Sequence, residues 1–346
     1  MKYIKDDEIH KFINKSLLKI KCDKFTASSI ASSLTNTSLR GIDSHGIRLF
    51  EHYFNSFIKG RKNKNPKFKF NRKYPAFISM DANHASGIVA GYKAIEYSAK
   101  YANKYGICGI SVFNSSHPGA LSSITLEAIK HDLICIGFAN ADNLILSPGG
   151  KRSYFGTNPI SIVAPRKSKS PFCLDMAQSM TTWNKLLMLR NNDEKLANGL
   201  AADKNGKTTF DPSKAKSLIS IGDYKGFVLA SGIEMLCSIM SGMPFGINID
   251  KMFTAPMNKK RKLSQTYILI RTDNVVSKNN FIKNLIKMSN DVRKEPSNGE
   301  GVMMPNDIQE KNVKNRKKKG IPIDDKYFNF LNQIKKKYNI DFKYLS

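Results

Sequence analysis

Phe77-Ile-Ser-Met80, then Gly87-Ile-Val-Ala-Gly-Tyr-Lys-Ala-Ile-Glu-Tyr-Ser-Ala-Lys-Tyr-Ala-Asn-Lys-Tyr105, then Ile107-Cys-Gly-Ile-Ser-Val-Phe113: across this stretch the hydrophobic pattern changes period twice. The outer runs are short and apolar, and the middle one spaces its apolar residues as a helix does. Strand, helix, strand at this distance predicts an α/β unit. The switching continues downstream, with a helix expected over 120–131 and strands over 133–139, 160–164, 172–174 and 266–270. A further helix is expected over 278–292. The fold class expected is therefore α/β with a mixed-sheet core.

Outward from that core the texture turns helical. Residues 6–21 carry apolar positions at helical spacing, and 26–39 follow an Asp23 cap. Residues 61–75 are basic with two prolines and read as a boundary loop. At the other end, 306–319 and 324–337 read as amphipathic helices, so the two chain ends are expected to pack together as a helical domain. The division expected is 1–75, a core of 76–295, and a tail of 296–346. The apolar stretch 226–247 is nearly long enough for a membrane span, but Glu234 and several Ser and Gly interrupt it, and it reads as a core helix.

The chain has 346 residues, 41% hydrophobic, enough to bury a sizeable core. Its first residues lack an apolar stretch behind a basic head, which argues against a secretory signal and for the cytoplasm. Cys22, Cys108, Cys135, Cys173 and Cys237 are far apart and show neither metal nor disulfide spacing; buried reduced thiols and no metal are expected. The net charge of +28 raises nucleic acid or an anionic membrane as a partner. The basic residues are nevertheless scattered, with no nucleic-acid fingerprint and no basic stripe interleaved with aromatics, and this Lys-, Asn- and Ile-rich composition reads as genome-wide drift.

Neither G-x-G-x-x-G nor G-x-x-x-x-G-K-[ST] occurs; Gly149-Gly150-Lys151 comes nearest the second but has Ile145 and Arg152 at the deciding positions. Two polar clusters stand out instead, Arg40-Gly-Ile-Asp-Ser-His-Gly-Ile-Arg48 and Asn114-Ser-Ser-His-Pro-Gly119. Each offers an imidazole among hydroxyls and glycine, and histidine titrates near neutrality, as carbonyl reduction requires of a proton donor. On chemistry alone His45 and His117 are equally well read as satisfied surface or core histidines. His10, His52 and His131 fall in surface-like helical patterns, and His84 reads as a loop or cap residue. If a helix begins at Gly46, Arg48 faces the same pocket as His45 and its guanidinium suits a carboxylate; a surface pair with Glu51 explains it locally as well.

Seven ordered motifs settle the matter by resemblance: 40–48, 114–119, Pro148-Gly-Gly150, Phe155-Gly-Thr-Asn-Pro-Ile160, Phe172-Cys-Leu-Asp-Met-Ala177, Lys225-Gly226 and Lys319-Gly-Ile-Pro322. Nearly end to end, the chain resembles the malate/L-lactate dehydrogenases that are unrelated to Rossmann enzymes. That family includes ureidoglycolate, sulfolactate and diketogulonate oxidoreductases and piperideine-carboxylate reductase. The resemblance implies a non-Rossmann nicotinamide site, NAD or NADP as coenzyme, and a homodimer. It implies His45 and His117 as alternative acid/bases, with Ser44, Arg48 and Thr157 as substrate ligands. It implies Asn140, Ala141, Asp175, Met176, Ala177, Lys225, Pro305, Asn306 and Asp307 around the coenzyme. The sequence departs from the family at Asp223-Tyr224, Asn184 and Pro305-Asn306-Asp307.

The activity expected is hydride transfer between NAD(P) and C2 of a small 2-hydroxy or 2-oxo acid, without a membrane or nucleic-acid partner. His45 is the preferred proton carrier, because Ser44 and Arg48 stand beside it while His117 stands alone among small residues. A cyclic 2-imino acid is the alternative substrate, and a basic nucleic-acid-binding protein on a decayed enzyme scaffold is the alternative of another class.

Overall fold

Helix caps fix much of the chain's punctuation. Asp23 accepts the Thr26 N–H at 2.6 Å and starts α2 (Lys24–Leu39), right behind α1 (Asp6–Lys19). Gly106, in the left-handed region at φ 82°, ends α4 (Gly87–Tyr105) as glycine commonly does. A computed structural model describes residues 2–166, 170–299 and 301–344. The remaining helices are α3 (Phe50–Ile58), α5 (Leu121–Thr125), α6 (Trp183–Asn191), α7 (Tyr224–Glu234), α8 (Lys278–Lys294), α9 (Asp307–Lys319) and α10 (Asp325–Tyr338).

The central sheet has seven strands: β2 (Lys69–Tyr74), β3 (Phe77–Asp81), β4 (Ile107–Ser115), β5 (Leu133–Ala139), β8 (Ile160–Ala164), β9 (Phe172–Met176) and β12 (Leu263–Arg271). Their order is β2-β3-β4-β12-β5-β8-β9. Only β3 and β4 pair in parallel, joined by the α4 crossover; every other neighbour is antiparallel. The mixed α/β core expected from the sequence is therefore present, with the strands at 133–139 and 160–164 and the helix at 87–105 ending where the pattern placed them.

The chain ends meet. β1 (Lys2–Ile4) pairs antiparallel with β13 (Ile321–Ile323), and Phe12 packs edge-on against Phe342 at 4.9 Å. Ile9, Leu17, Phe328 and Leu331 join the same buried cluster as Ile78, Ile110 and Tyr267 of the sheet. A four-stranded sheet, β10 (Ala201–Ala202), β11 (Ser217–Leu218), β6 (Ile145–Leu146) and β7 (Ser153–Phe155), has its own small cluster around Leu186, Leu196 and Leu218.

Four sequence expectations need correction. The segment 61–75 is not all loop: β2 runs through it as an exposed edge strand, tied down where Phe70 stacks on Tyr97 at 3.7 Å. The helix over 120–131 is α5 followed by a 3-10 turn, Leu126–His131, closed by Asp132 at φ 60°. Residues 226–247 are not one core helix. α7 gives way to a π-turn, Met235–Ile239, and the chain turns at Gly242. One face is inside, where Asn158 and the Gly246 N–H hold the Glu234 carboxylate; Val228, Leu229, Met235, Ile239 and Met240 on the other face are exposed. Finally, Arg61 and Lys62, which read as part of a basic boundary loop, are both 1% exposed.

Candidate active site

The loop after α2 is held from three directions. Asp43 takes a bidentate ion pair from Arg316 of α9, at 2.6 and 2.7 Å, and the same guanidinium reaches Ser38 O at 2.5 Å. Asn184 Nδ2 on α6 donates to Ser44 O at 2.8 Å. Gly46 lies so close to α2 that a Cβ there would fall 2.1 Å from Ser38 Oγ, the atom that accepts the Ile47 N–H at 2.9 Å. No helix begins at Gly46; it separates two 3-10 turns, Asp43–His45 and Ile47–Leu49, ahead of α3. Arg48 is not paired with Glu51. Its guanidinium pairs with Asp324, the N-cap of α10, at 3.2 Å and lies 3.7 Å from Met188 Sδ.

The second cluster leaves the end of β4. Gly87 makes room for it, since a Cβ there would meet Ser116 O at 2.1 Å. His117 consequently stands face to face with His45, ring centroids 5.7 Å apart and planes 25° apart. It does not stand alone: the Tyr53 hydroxyl on α3 lies 2.9 Å from His117 Nδ1 and 3.0 Å from His117 O. The Gly119 N–H also points at Nδ1, at 3.3 Å. A backbone N–H only donates, so Nδ1 is an acceptor and neutral His117 carries its proton on Nε2. On His45, Nδ1 meets Ser44 Oγ at 2.9 Å.

Burial pushes His45 down to about 4. Burial also holds His117 well below the usual imidazole range, helped by His45 and by the positive charges of Arg261 and Lys62. Both rings are therefore neutral at pH 7, hydrogen-bond donors and acceptors rather than imidazoliums.

Behind them lies a basic interior. Arg61 donates to Met252 O, Ala255 O and Pro256 O at 2.6–2.9 Å. Arg261, 3% exposed, pairs with Asp142 and donates to Asp250 O. Lys62 places Nζ over the Tyr53 ring, 3.1 Å from its centroid. His52, on α3, packs against Phe253 at 5.4 Å. Tyr53 and Arg261 carried no signal in the sequence, and Asn184 stood out only as a departure from the family. Arg61 and Lys62 were visible only as the start of a basic boundary loop.

The residues expected around a coenzyme are largely engaged with the protein. Asn140 donates to Ser238 Oγ at 2.6 Å and accepts the Ser264 N–H at 2.8 Å, and the Ala141 N–H is taken by Asn158 at 3.0 Å. Thr157 O accepts the Gln178 N–H at 2.8 Å. Asp175 accepts the Ser122 N–H at 2.9 Å, at the start of α5, and burial raises its carboxyl above the usual carboxylate value. Met176 and Lys225 are exposed, and Ala177 is half-buried. Asn306, which follows Pro305, donates to Ser170 Oγ at 2.6 Å; Asp307 is clamped bidentately by Arg293 at 2.7 and 2.8 Å. Among the described residues no cluster of His, Cys, Asp and Glu could hold a metal, and no helix is long and apolar enough to cross a membrane.

A seven-stranded mixed sheet without a Rossmann motif, carrying two stacked imidazoles against a basic interior, defines a distinct class of α/β protein. The chain belongs to the malate/L-lactate dehydrogenase family, whose sequence model matches residues 4–332. It is 30% identical to an L-sulfolactate dehydrogenase of Methanocaldococcus jannaschii over 334 residues, covering 96% of both chains. It is 28% identical to the ureidoglycolate dehydrogenase (NAD(+)) of Escherichia coli O157:H7 over 330 residues, 95% of this chain and 94% of that one. A crystal structure of malate dehydrogenase from Entamoeba histolytica shares the fold at a TM-score of 0.93, with 24% identity and 99% of each chain covered.

Proposed function

We propose that this chain moves a hydride reversibly between a nicotinamide coenzyme, NAD or NADP, and C2 of a small 2-hydroxy or 2-oxo acid. The observation that carries the reading is the His45–His117 pair, two neutral rings 5.7 Å apart set against the buried side chains of Lys62 and Arg261, inside a chain of this dehydrogenase family.

A fit for the coenzyme rests on an orphaned side chain in the turn after β9. Gln178 is fully buried with neither amide atom hydrogen-bonded among the described residues. Asp175, Met176, Ala177 and Gln178, with Lys225 and Asn306, are the residues that would hold it. When bound, it supplies or accepts the hydride at C4 of its nicotinamide.

The chain's own groups do the rest. Ser44 and Thr157 are substrate ligands in this reading, and Arg48 turns from Asp324 to fork onto the carboxylate, an exchange of one carboxylate partner for another. His117 is preferred over His45 as proton carrier: Tyr53 and Gly119 fix Nδ1 as acceptor, leaving Nε2–H to face the substrate oxygen, so that as Nε2 gives up its proton Nδ1 takes that of the Tyr53 hydroxyl, and both return in the reverse direction. His45 lies alongside and orients that oxygen. The cationic interior favours an anionic substrate and the negative charge that gathers on oxygen as hydride arrives.

Homodimerisation is part of the proposal. Val228, Leu229, Met235, Ile239 and Met240 line one exposed face of α7 and its π-turn, an apolar strip of the kind a second copy covers. The cytoplasm is the compartment proposed, in keeping with five unpaired buried cysteines.

The test is a screen of purified protein with each reduced coenzyme against pyruvate, oxaloacetate, sulfopyruvate and cyclic 2-imino acids, following loss of nicotinamide absorbance. Turnover of one oxo acid supports the reading, and turnover of an imine alone assigns the alternative substrate. No oxidation with any of them refutes it.

A further inference from the structure

Lys62 is the most anomalous side chain in the molecule. It is 1% exposed, and its Nζ has no hydrogen-bond partner among the described residues. Burying an amine in this way is costly, and a methionine or leucine would fill the same space without that cost. The amine does have one close neighbour, the face of the Tyr53 ring, 3.1 Å from Nζ to centroid, with Phe57 further off at 5.9 Å. The hydroxyl of that same ring is the group that bonds His117 Nδ1. Lys62, Tyr53 and His117 thus form a column running from the interior to the candidate reacting face.

We propose that Lys62 is a positioning residue for His117, acting through Tyr53. An N–H group on the face of a phenol draws density from the ring and makes its O–H a better donor. A stronger Tyr53 O–H bond to Nδ1 holds the imidazole in the Nε2–H tautomer and opposes protonation of Nδ1. The charged and titratable groups facing His117 are Tyr53 and His52 on α3, His45 on the 3-10 turn, Lys62 on the loop after α3, and Arg261 on the segment before β12. Arg261 is answered by Asp142 and Arg61 by three carbonyls, whereas burial and these two arginines hold the Lys62 amine well below the usual lysine range and leave it the Tyr53 ring as its close contact. The proposal rests on His117 as proton carrier, and the experiment separates the two.

The full chain, labelled with 15N, is followed by imidazole NMR through a pH series without substrate, in the parent, Lys62→Met and Lys62→Gln. In the parent, His117 should remain the Nε2–H tautomer to well below pH 6. In Lys62→Met the Nδ1–H tautomer should appear and the titration midpoint rise by about one pH unit, a tenfold change in proton affinity. Gln keeps a donor at the ring, so it should restore part of the tautomer bias; it is also the variant to read if Met at this site prevents folding. In a Tyr53→Phe background Lys62→Met should add no further change. An unaltered tautomer and midpoint in both Lys62 variants overturns the proposal, and an equal shift with and without the Tyr53 hydroxyl overturns the route through Tyr53. If the titration moves as expected but kcat does not, Lys62 positions His117 and it is the assignment of His117 as proton carrier that fails.

Discussion

Tyr53→Phe is the most informative single change, because it deletes one oxygen and little else. The ring is fully buried and stays, so no cavity opens and the contact with Lys62 survives. What is lost is a hydroxyl serving two acceptors, His117 Nδ1 at 2.9 Å and His117 O at 3.0 Å. The Gly119 N–H still covers Nδ1 at 3.3 Å, so the carbonyl is the acceptor left without this partner. A lost buried hydrogen bond together with one uncompensated acceptor amounts to about 1–3 kcal/mol of stability. The imidazole keeps only the longer Gly119 N–H bond at Nδ1, so the Nε2–H tautomer is held less firmly, and kcat should fall about 10–100-fold, or about 1.4–2.7 kcal/mol of transition-state stabilisation. Coenzyme KM should stay within about twofold. Urea unfolding at unchanged m-value reads the first number, and steady-state kinetics on the acid found in the screen reads the second. A variant of parental kcat and parental midpoint would falsify the assignment of Tyr53 as the group that orients His117.

Three further outcomes are expected. Arg48→Lys keeps the charge but loses the fork, so KM for the acid should rise by about tenfold with coenzyme affinity unmoved, and an unchanged KM removes Arg48 from the site. His52 is held down to about 3, first by burial and then by Lys62, Arg61 and Arg261. Its folded pKa lies below the unfolded value, so the unfolded chain binds more protons and stability should fall as pH drops from about 6.5 towards 3, by at most about 1.4 kcal/mol per pH unit for this one group. His52→Gln should flatten that decline in denaturation midpoints taken at several pH values; an identical slope would mean His52 is protonated in the folded state. Ile239→Glu places a charge on the exposed strip beside α7 and should give a monomer of intact helicity in sedimentation, whereas a dimer that survives it must use another face.

The core was legible because its elements are local statements. Gly87 to Tyr105 is helical by its spacing and stopped by Gly106, and 133–139 is an uninterrupted apolar run of strand length. The site was legible in part: the two imidazoles were visible as polar clusters, and the structure brings them together across 72 positions of sequence, from His45 to His117. The rest was hidden for a physical reason. Arg61 and Lys62 sit in a basic run, and composition cannot tell a lysine in water from one lying on a tyrosine ring. Tyr53 is one more aromatic on the apolar face of α3 until its hydroxyl is placed. The partners of Asp43 and Arg48 lie more than 270 residues away, on Arg316 and Asp324, where no spacing rule connects them.

That last separation governs how the molecule comes into being. β13 closes on β1, Arg316 grips Asp43, and Asp324 meets Arg48, so the loop carrying His45 is braced by a segment that the ribosome makes long after it. A nascent chain can assemble the central sheet while still tethered, since β2 to β12 end at Arg271. The loop carrying His45, however, stays unbraced until Arg316 and Asp324 have cleared the exit tunnel, and closing a ribbon over more than 300 positions slows folding. Premature termination or clipping before Arg316 would leave a chain with an intact central sheet and an unbraced His45 loop, a species that a measure of fold alone would count as finished.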